Sequence, residues 1–367
     1  MTHIPVLLKE VIQFLDPKPG NKFIDATIGM GGHAKVLLDS GAKVLGIDRD
    51  FSVIASPPSV ILIPPSVIQN SPSVILNGVK NLDSSSPRQG GTPQNDRLVL
   101  VHGNFADLKE IARENGFTNV DGILFDLGIG SHQLDDPERG FSFQNDGPLG
   151  MRFNAPVIAR TPPSAGDEAI LLKREIAARP SAARNDSLTA GVIVNLYSEK
   201  DLVRIFHQYG EEHRFGKKIA RAIVEARKTA QINTTTQLFD LIKKSLPAKF
   251  RFKAGDTARR IFQALRIEVN KELESLEKAL PQALELLKKG GKLAVISFHS
   301  LEDRIVKRFY ITEAKDCVCP PEIPVCVCGG NNAKLKILTR KPVVANPDEI
   351  EANSRARSAK LRVAIKI

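Results

Sequence analysis

Two kinds of residue in this 367-residue chain are spaced for chemistry: glycines that follow a short apolar run, and carboxylates that end such runs. Lys22-Phe-Ile-Asp-Ala-Thr-Ile28 breaks into Gly29-Met-Gly-Gly-His33 and resumes as Ala34-Lys-Val-Leu-Leu38. The change of apolar period reads as strand, glycine loop and helix. Such a loop lets backbone N–H groups and a helix N-terminus approach a ligand closely, which makes Gly31 and Gly32 candidates for that contact. The next apolar run, residues 42–48, ends on Asp48, where an acid can accept from both hydroxyls of a ribose. A glycine loop alone leaves the ligand open, since tight turns need glycine anyway. Dinucleotides and S-adenosylmethionine both fit. The loop lacks the G-x-G-x-x-G spacing and no Walker lysine follows it, which disfavours NAD and ATP.

A second group of candidates sits later in the chain. Asp126-Leu-Gly-Ile-Gly-Ser131 closes a fourth apolar run, and an α/β sheet gathers its reacting groups at the carboxyl ends of its strands. The plainer reading makes Asp126 a helix cap. His299, in Ser297-Phe-His-Ser-Leu-Glu-Asp303, follows a fifth run, and a structural histidine held by its neighbours is the plainer reading there. The four cysteines form Cys317-Val-Cys319 and Cys326-Val-Cys328. Their closeness suits zinc, but C-x-C is a less usual ligand spacing than C-x-x-C. Reduced structural thiols and no metal are therefore expected.

The elements that must position these residues alternate along the chain. Strands are expected at 22–28, 42–48, 98–102 and 120–126, and a fifth at 292–298. A helix over 272–289 precedes the fifth strand, with leucines at 273, 276, 280, 284 and 287 and a close at Gly290-Gly291. Alternation of this kind predicts an α/β fold with a parallel, doubly wound sheet. Two further apolar segments, 335–344 and 361–367, are suited to finish the sheet as a terminal hairpin.

Well over a hundred residues separate the fourth and fifth strands, more than a crossover needs, so a second domain is expected there. Its middle reads as helical over 199–209 and 215–227, and the latter carries Lys217, Lys218, Arg221 and Arg227. Residues 52–96 are foreign to this plan. Ser-Val-Ile recurs at 52, 59, 66 and 73, but Pro57, Pro58, Pro64, Pro65 and Pro72 rule out a continuous helix, so an irregular insertion is expected. Residues 155–187 are similar in kind, with a short helix expected near 168–178.

Lys and Arg number 52 against 41 Asp and Glu, a formal charge of +11 that favours a polyanionic partner without identifying one. Lys9, Glu10 and Asp16 interrupt the N-terminal apolar stretch, no run reaches membrane-spanning length, and the cysteines are too local to staple a secreted fold. A cytoplasmic protein with no membrane partner is expected.

In order and spacing, several motifs together resemble the bacterial 16S rRNA (cytosine-N4)-methyltransferase family. They are His3-Ile-Pro-Val-Leu-Leu-Lys-Glu10, Asp25-Ala-Thr-Ile-Gly-Met-Gly-Gly-His33, Gly46-Ile-Asp-Arg-Asp50, His102-Gly-Asn-Phe105, Asp121-Gly-Ile-Leu-Phe-Asp-Leu-Gly128 and Gln133-Leu-Asp-Asp136. Arg139-Gly-Phe-Ser-Phe143, Phe262-Gln-Ala-Leu-Arg-Ile267, Ser297-Phe-His-Ser-Leu-Glu-Asp-Arg-Ile-Val-Lys307 and Arg355-Ala-Arg-Ser-Ala-Lys-Leu-Arg362 continue the series.

The resemblance covers nearly the whole chain outside the two insertions. It implies a Rossmann-like class I methyltransferase domain over 1–136 and 248–367, with a helical substrate-recognition domain inserted at 137–247. It implies S-adenosylmethionine as cofactor, held by Gly31, Gly32, His33, Asp48, Phe105, Asp126 and Gln133, with Phe105 against adenine and Asp126 near the amino-acid end. It also implies methyl transfer to N4 of a cytidine in the decoding region of 16S rRNA, within the small ribosomal subunit. No catalytic residue is singled out, because a cytosine amino group asks mainly for acceptors that aim it, from Asp126 or the carbonyls of residues 127–130. An inactive RNA-binding relative and an NAD-dependent oxidoreductase are the rival readings.

Overall fold

A computed structural model describes residues 5–55, 97–154, 188–317, 319–320, 325 and 327–367. Outside these lie His3, Cys326, the expected insertion at 155–187 and all of the insertion at 52–96 except its first four residues. Those four are helical, within Phe51–Ala55. This corrects the expectation that irregular chain begins at Ser52. The cause is Asp50, whose carboxylate accepts from the Ser52 N–H at 3.0 Å and the Ser52 hydroxyl at 2.7 Å and so starts a helical turn.

Seven strands form one sheet: β1 Lys22–Asp25, β2 Lys43–Asp48, β3 Leu98–His102, β4 Val120–Asp126, β5 Leu287–Ser297, β6 Leu335–Ile337 and β7 Lys360–Lys366. Their order is β3-β2-β1-β4-β5-β7-β6, with the first five parallel and β7 antiparallel to both neighbours. This is the parallel, doubly wound sheet expected from the sequence, extended at one side by an antiparallel pair. The reversed strand between β5 and β6 separates it from the order 3-2-1-4-5-6 of dinucleotide-binding sheets. The terminal hairpin is present, though β6 keeps only three residues of the apolar run 335–344. The helix expected over 272–289 is Glu272–Leu286, and β5 takes the residues after it.

Side chains alternate between two cores, one on each face. Ile24, Leu45, Ile47, Ile123, Phe125, Leu293 and Val295 point to one, against the helices Leu108–Glu114, Glu272–Leu286 and Ser300–Glu313. Phe23, Val44, Leu124, Ala294, Ile296, Leu361 and Val363 point to the other, against Leu8–Leu15 and Gly32–Asp39. Burial on both faces explains why the strands read as continuous apolar runs rather than alternating ones. Each fully buried Leu, Ile or Phe contributes about 1.5–3 kcal/mol.

The chain divides into two compact units, one running to Gly130 and resuming over Glu272–Ile367, the other Ser131–Lys271. The second begins with the short helix Ser131–Asp135 and contains Ala190–Leu196, Glu199–Gln208, Gly216–Ala226, Thr235–Ser245 and Ala254–Asn270. It extends past the expected end at 247 because Ala254–Asn270 packs on three of the other helices. No helix among the described residues is long and apolar enough to cross a membrane.

Candidate functional site

Parallel register brings the carboxyl ends of β1, β2 and β4 to one edge, each ending on an acid: Asp25, Asp48 and Asp126. The strand order reverses between β1 and β4, which is where a doubly wound sheet opens a crevice. Between β1 and the helix Gly32–Asp39, Gly29 and Gly31 take φ of +49° and +72°, which L side chains disfavour. No side chain caps the first turn of that helix. A Cβ on Gly32 would stand 2.1 Å from Pro5 Cγ, so this position admits only glycine without displacement of the N-terminal segment.

Asp48 holds the loop as well as facing it. Its Oδ2 accepts from the Gly29 N–H at 2.9 Å and its Oδ1 from the Asp50 N–H at 2.8 Å. Beside it, Arg49 is largely desolvated, which lowers its pKa, while Glu272, Asp48 and Asp107 pull it back up.

Asp126 is anchored through its backbone N–H to the Thr27 hydroxyl at 2.7 Å. Its Oδ2 lies 3.7 Å from His33 Nδ1, and its Oδ1 is buried with no hydrogen-bond partner among the described residues. Desolvation raises its pKa well above the ordinary carboxylate range, and the charges of Asp25 and Glu302 raise it further. Asp25, 1% exposed, is pushed up to about 7, chiefly by burial. The helix-cap reading of Asp126 is not what is seen, since the helix after β4 starts five residues later, at Ser131–Asp135.

The other expected residues are placed as follows. His33 is buried, with Nε2 3.0 Å from the Val6 carbonyl and Nδ1 3.7 Å from Asp126 Oδ2, which ties the glycine loop to the N-terminal segment. Phe105, 9% exposed, sets its ring edge-on to Phe125 at 5.7 Å and begins a turn capped by Asn104. Gln133 is buried in the helix Ser131–Asp135, in the second unit. His299 caps Ser300–Glu313 in a reciprocal capping box with Glu302, the structural role expected of it.

Sequence reasoning missed Asp25 and Thr27. Both were visible in Asp25-Ala-Thr27, but only the sheet shows that one is buried and the other holds Asp126. In the second unit it also missed Lys249-Phe-Arg-Phe-Lys253, a basic run interleaved with aromatics. Phe252 there is 78% exposed, with Lys253 Nζ 5.6 Å from its ring centre. Conversely, Arg227 is not a free surface cation. It donates to the carbonyls of Val194 and Tyr197 at 2.7 Å each, closing the C-terminus of Ala190–Leu196.

The sequence matches the MraW methylase family over residues 1–63, 84–159 and 182–367. The chain belongs to this family. The unmatched residues, 64–83 and 160–181, fall inside the two stretches read as insertions. Among curated relatives of the MraW-family chain, "Ribosomal RNA small subunit methyltransferase H" of Heliobacterium modesticaldum is 42% identical, covering 100% of this chain and 98% of the relative. Proteins of the same name from Carboxydothermus hydrogenoformans and Thermomicrobium roseum are 40% and 42% identical, again over 100% of this chain and over 98% and 94% of theirs.

Proposed function

We propose that this methylase transfers a methyl group from S-adenosylmethionine to N4 of a cytidine in the decoding region of 16S rRNA. The observation that carries this reading is the family match together with full-length relatives named as small-subunit rRNA methyltransferases. The reversed strand β7 and the loop spacing argue against the dehydrogenase alternative.

The residues at the sheet edge suit this cofactor. The uncapped helix turn at Gly31 and Gly32 suits a carboxylate, and Asp48 suits a ribose. The buried, orphaned Oδ1 of Asp126 suits a cationic amino group, which would draw its raised pKa back down. His33, the Phe105 rim and Gln133 complete the proposed set. When bound, the cofactor supplies an electrophilic sulfonium methyl. What remains for the protein is to aim the cytosine amino group, whose lone pair is delocalised into the ring, with acceptors from Asp126 or the carbonyls after it. On accepting the methyl group, the cytosine amino group would release one proton to a protein acceptor or to water.

The second unit is the proposed substrate-recognition domain. Exposed Lys217, Lys218, Lys249, Arg251 and Lys253 offer phosphate contacts, and Phe252 offers a face on which an unpaired base can stack. The target base must leave any stack to reach the donor. Small subunits from cells lacking the enzyme, incubated with labelled S-adenosylmethionine and digested to nucleosides, should yield N4-methylcytidine. Assembled subunits should accept more label than naked RNA. Label confined to carbon 5, to adenosine or to protein would overturn the assignment, and tight donor binding without transfer would favour an inactive binder.

A further inference from the structure

The connection between Ser300–Glu313 and the edge strand β6 carries a cluster that the methyl-transfer chemistry does not use. The sulfurs of Cys317, Cys319 and Cys328 all lie within 4.8 Å of one another. Those of Cys317 and Cys328 are 3.8 Å apart. Four thiolates at the usual metal–sulfur bond of about 2.3 Å around a tetrahedral zinc are separated by edges of about 3.8 Å. Two of these sulfurs thus already stand at a ligand-to-ligand distance, with the third beside them.

The surroundings support the same use. The Val327 N–H donates to Cys319 Sγ at 3.3 Å and Asn332 Nδ2 to Cys328 Sγ at 3.4 Å, and donors aimed at sulfur favour the thiolate, the form that binds metals. Gly329 and Gly330, with φ of +76° and +70°, turn the chain sharply after Cys328. The stem is closed by Asn331 N–H to Asp316 Oδ1 at 2.6 Å and by Asn332 Nδ2 to the Asp316 carbonyl at 3.0 Å. The connection has no apolar core among its described residues, since Val325 and Val327 are 70% and 74% exposed. Chain as exposed as Val325 and Val327 gains from a cross-link.

We propose that Cys317, Cys319 and Cys328 are ligands of a structural zinc ion. Each thiol gives its proton to solvent as its sulfur–zinc bond forms, so binding tightens as pH rises. Three thiolates leave one position of the tetrahedron for a water or a further side chain. Cys326 lies outside the described residues and is not part of the proposed set.

The test uses the full chain, purified under reducing conditions with zinc and then dialysed against metal-free buffer. About one zinc per chain should remain, and replacement by cobalt(II) should give an intense near-ultraviolet sulfur-to-cobalt band with the visible bands of a tetrahedral centre. Cys319→Ser and Cys328→Ser should lose the metal and the band while keeping a cooperative thermal transition and S-adenosylmethionine binding. Should those variants fail to fold, chelation of the wild-type metal and its return should remove and restore the band. No retained metal in reduced wild type overturns the proposal, as does undiminished metal in folded variants. A deficit of two titratable thiols without metal would assign Cys317 and Cys328 to a disulfide instead.

Discussion

His33 stands between the N-terminal segment and the end of β4: its Nε2 is 3.0 Å from the Val6 carbonyl and its Nδ1 is 3.7 Å from Asp126 Oδ2. A carbonyl only accepts, so the hydrogen sits on Nε2, and in the neutral ring Nδ1 faces the carboxyl without one. At 3.7 Å the two atoms are beyond hydrogen-bond range, and they attract each other only when the ring is protonated and the carboxyl ionised. A proton on Asp126, which its raised pKa favours, spares the edge a buried negative charge beside Asp25 and Glu302.

Asp48→Ala should weaken S-adenosylmethionine binding by about tenfold or more, from loss of charged hydrogen bonds worth roughly 1.5–3 kcal/mol. Because Asp48 also accepts from Gly29 and Asp50, Asp48→Asn, which keeps one acceptor oxygen, should lose less. Calorimetric titration of both variants, each with an intact thermal transition, checks the order. Unchanged affinity in Asp48→Ala would sink the ribose assignment.

Asp25, with its pKa pushed up to about 7 from 3.8, gives the fold a pH dependence of known sign. Between these values the native state holds a proton that the unfolded chain has released, so the contribution of Asp25 to stability is greatest below 3.8, falls as pH rises toward 7, and is level above. The loss is on the order of 4 kcal/mol. Asp25→Asn should remove this slope, and urea unfolding of both proteins at acidic and alkaline pH measures it. Parallel pH profiles would refute the prediction.

Phe252→Ala should reduce methyl transfer to small subunits several-fold while leaving the melting temperature unchanged, because the ring is solvent-exposed. Arg227→Ala should do the reverse to stability. Losing two charge-assisted hydrogen bonds to Val194 and Tyr197 should cost about 2 kcal/mol or more, seen as a lower urea midpoint. A stable Arg227→Ala with impaired RNA binding would return that arginine to the interface.

Gly32→Ala places a methyl group 2.1 Å from Pro5 Cγ. The N-terminal segment must move, at about 1–3 kcal/mol for overpacking, and donor affinity should fall with it. A variant with wild-type melting temperature and affinity would show that the Pro5 contact is dispensable.

Residue type and period alone determined the parallel strands, the glycine loop and the acid ending β2, because strands buried on both faces must be continuously apolar and a tight turn must carry glycine. The ordered motifs likewise carried the family resemblance. Strand limits at β3 and β4 agree residue for residue, whereas β6 shrank to Leu335–Ile337, since pairing with β7 and not hydrophobicity fixes where an edge strand stops. Tertiary structure decided what the side chains do. Arg227 reads as one more surface cation until two carbonyls are found in front of it. Asp25 lies inside the run expected as a strand over 22–28, and only the structure shows it ending β1, buried, with its pKa raised. Cys317, Cys319 and Cys328 read as part of an unusual spacing until the fold sets their sulfurs within 4.8 Å of one another. Desolvation and convergence depend on distances between residues far apart in the chain, and a linear pattern holds no record of those distances.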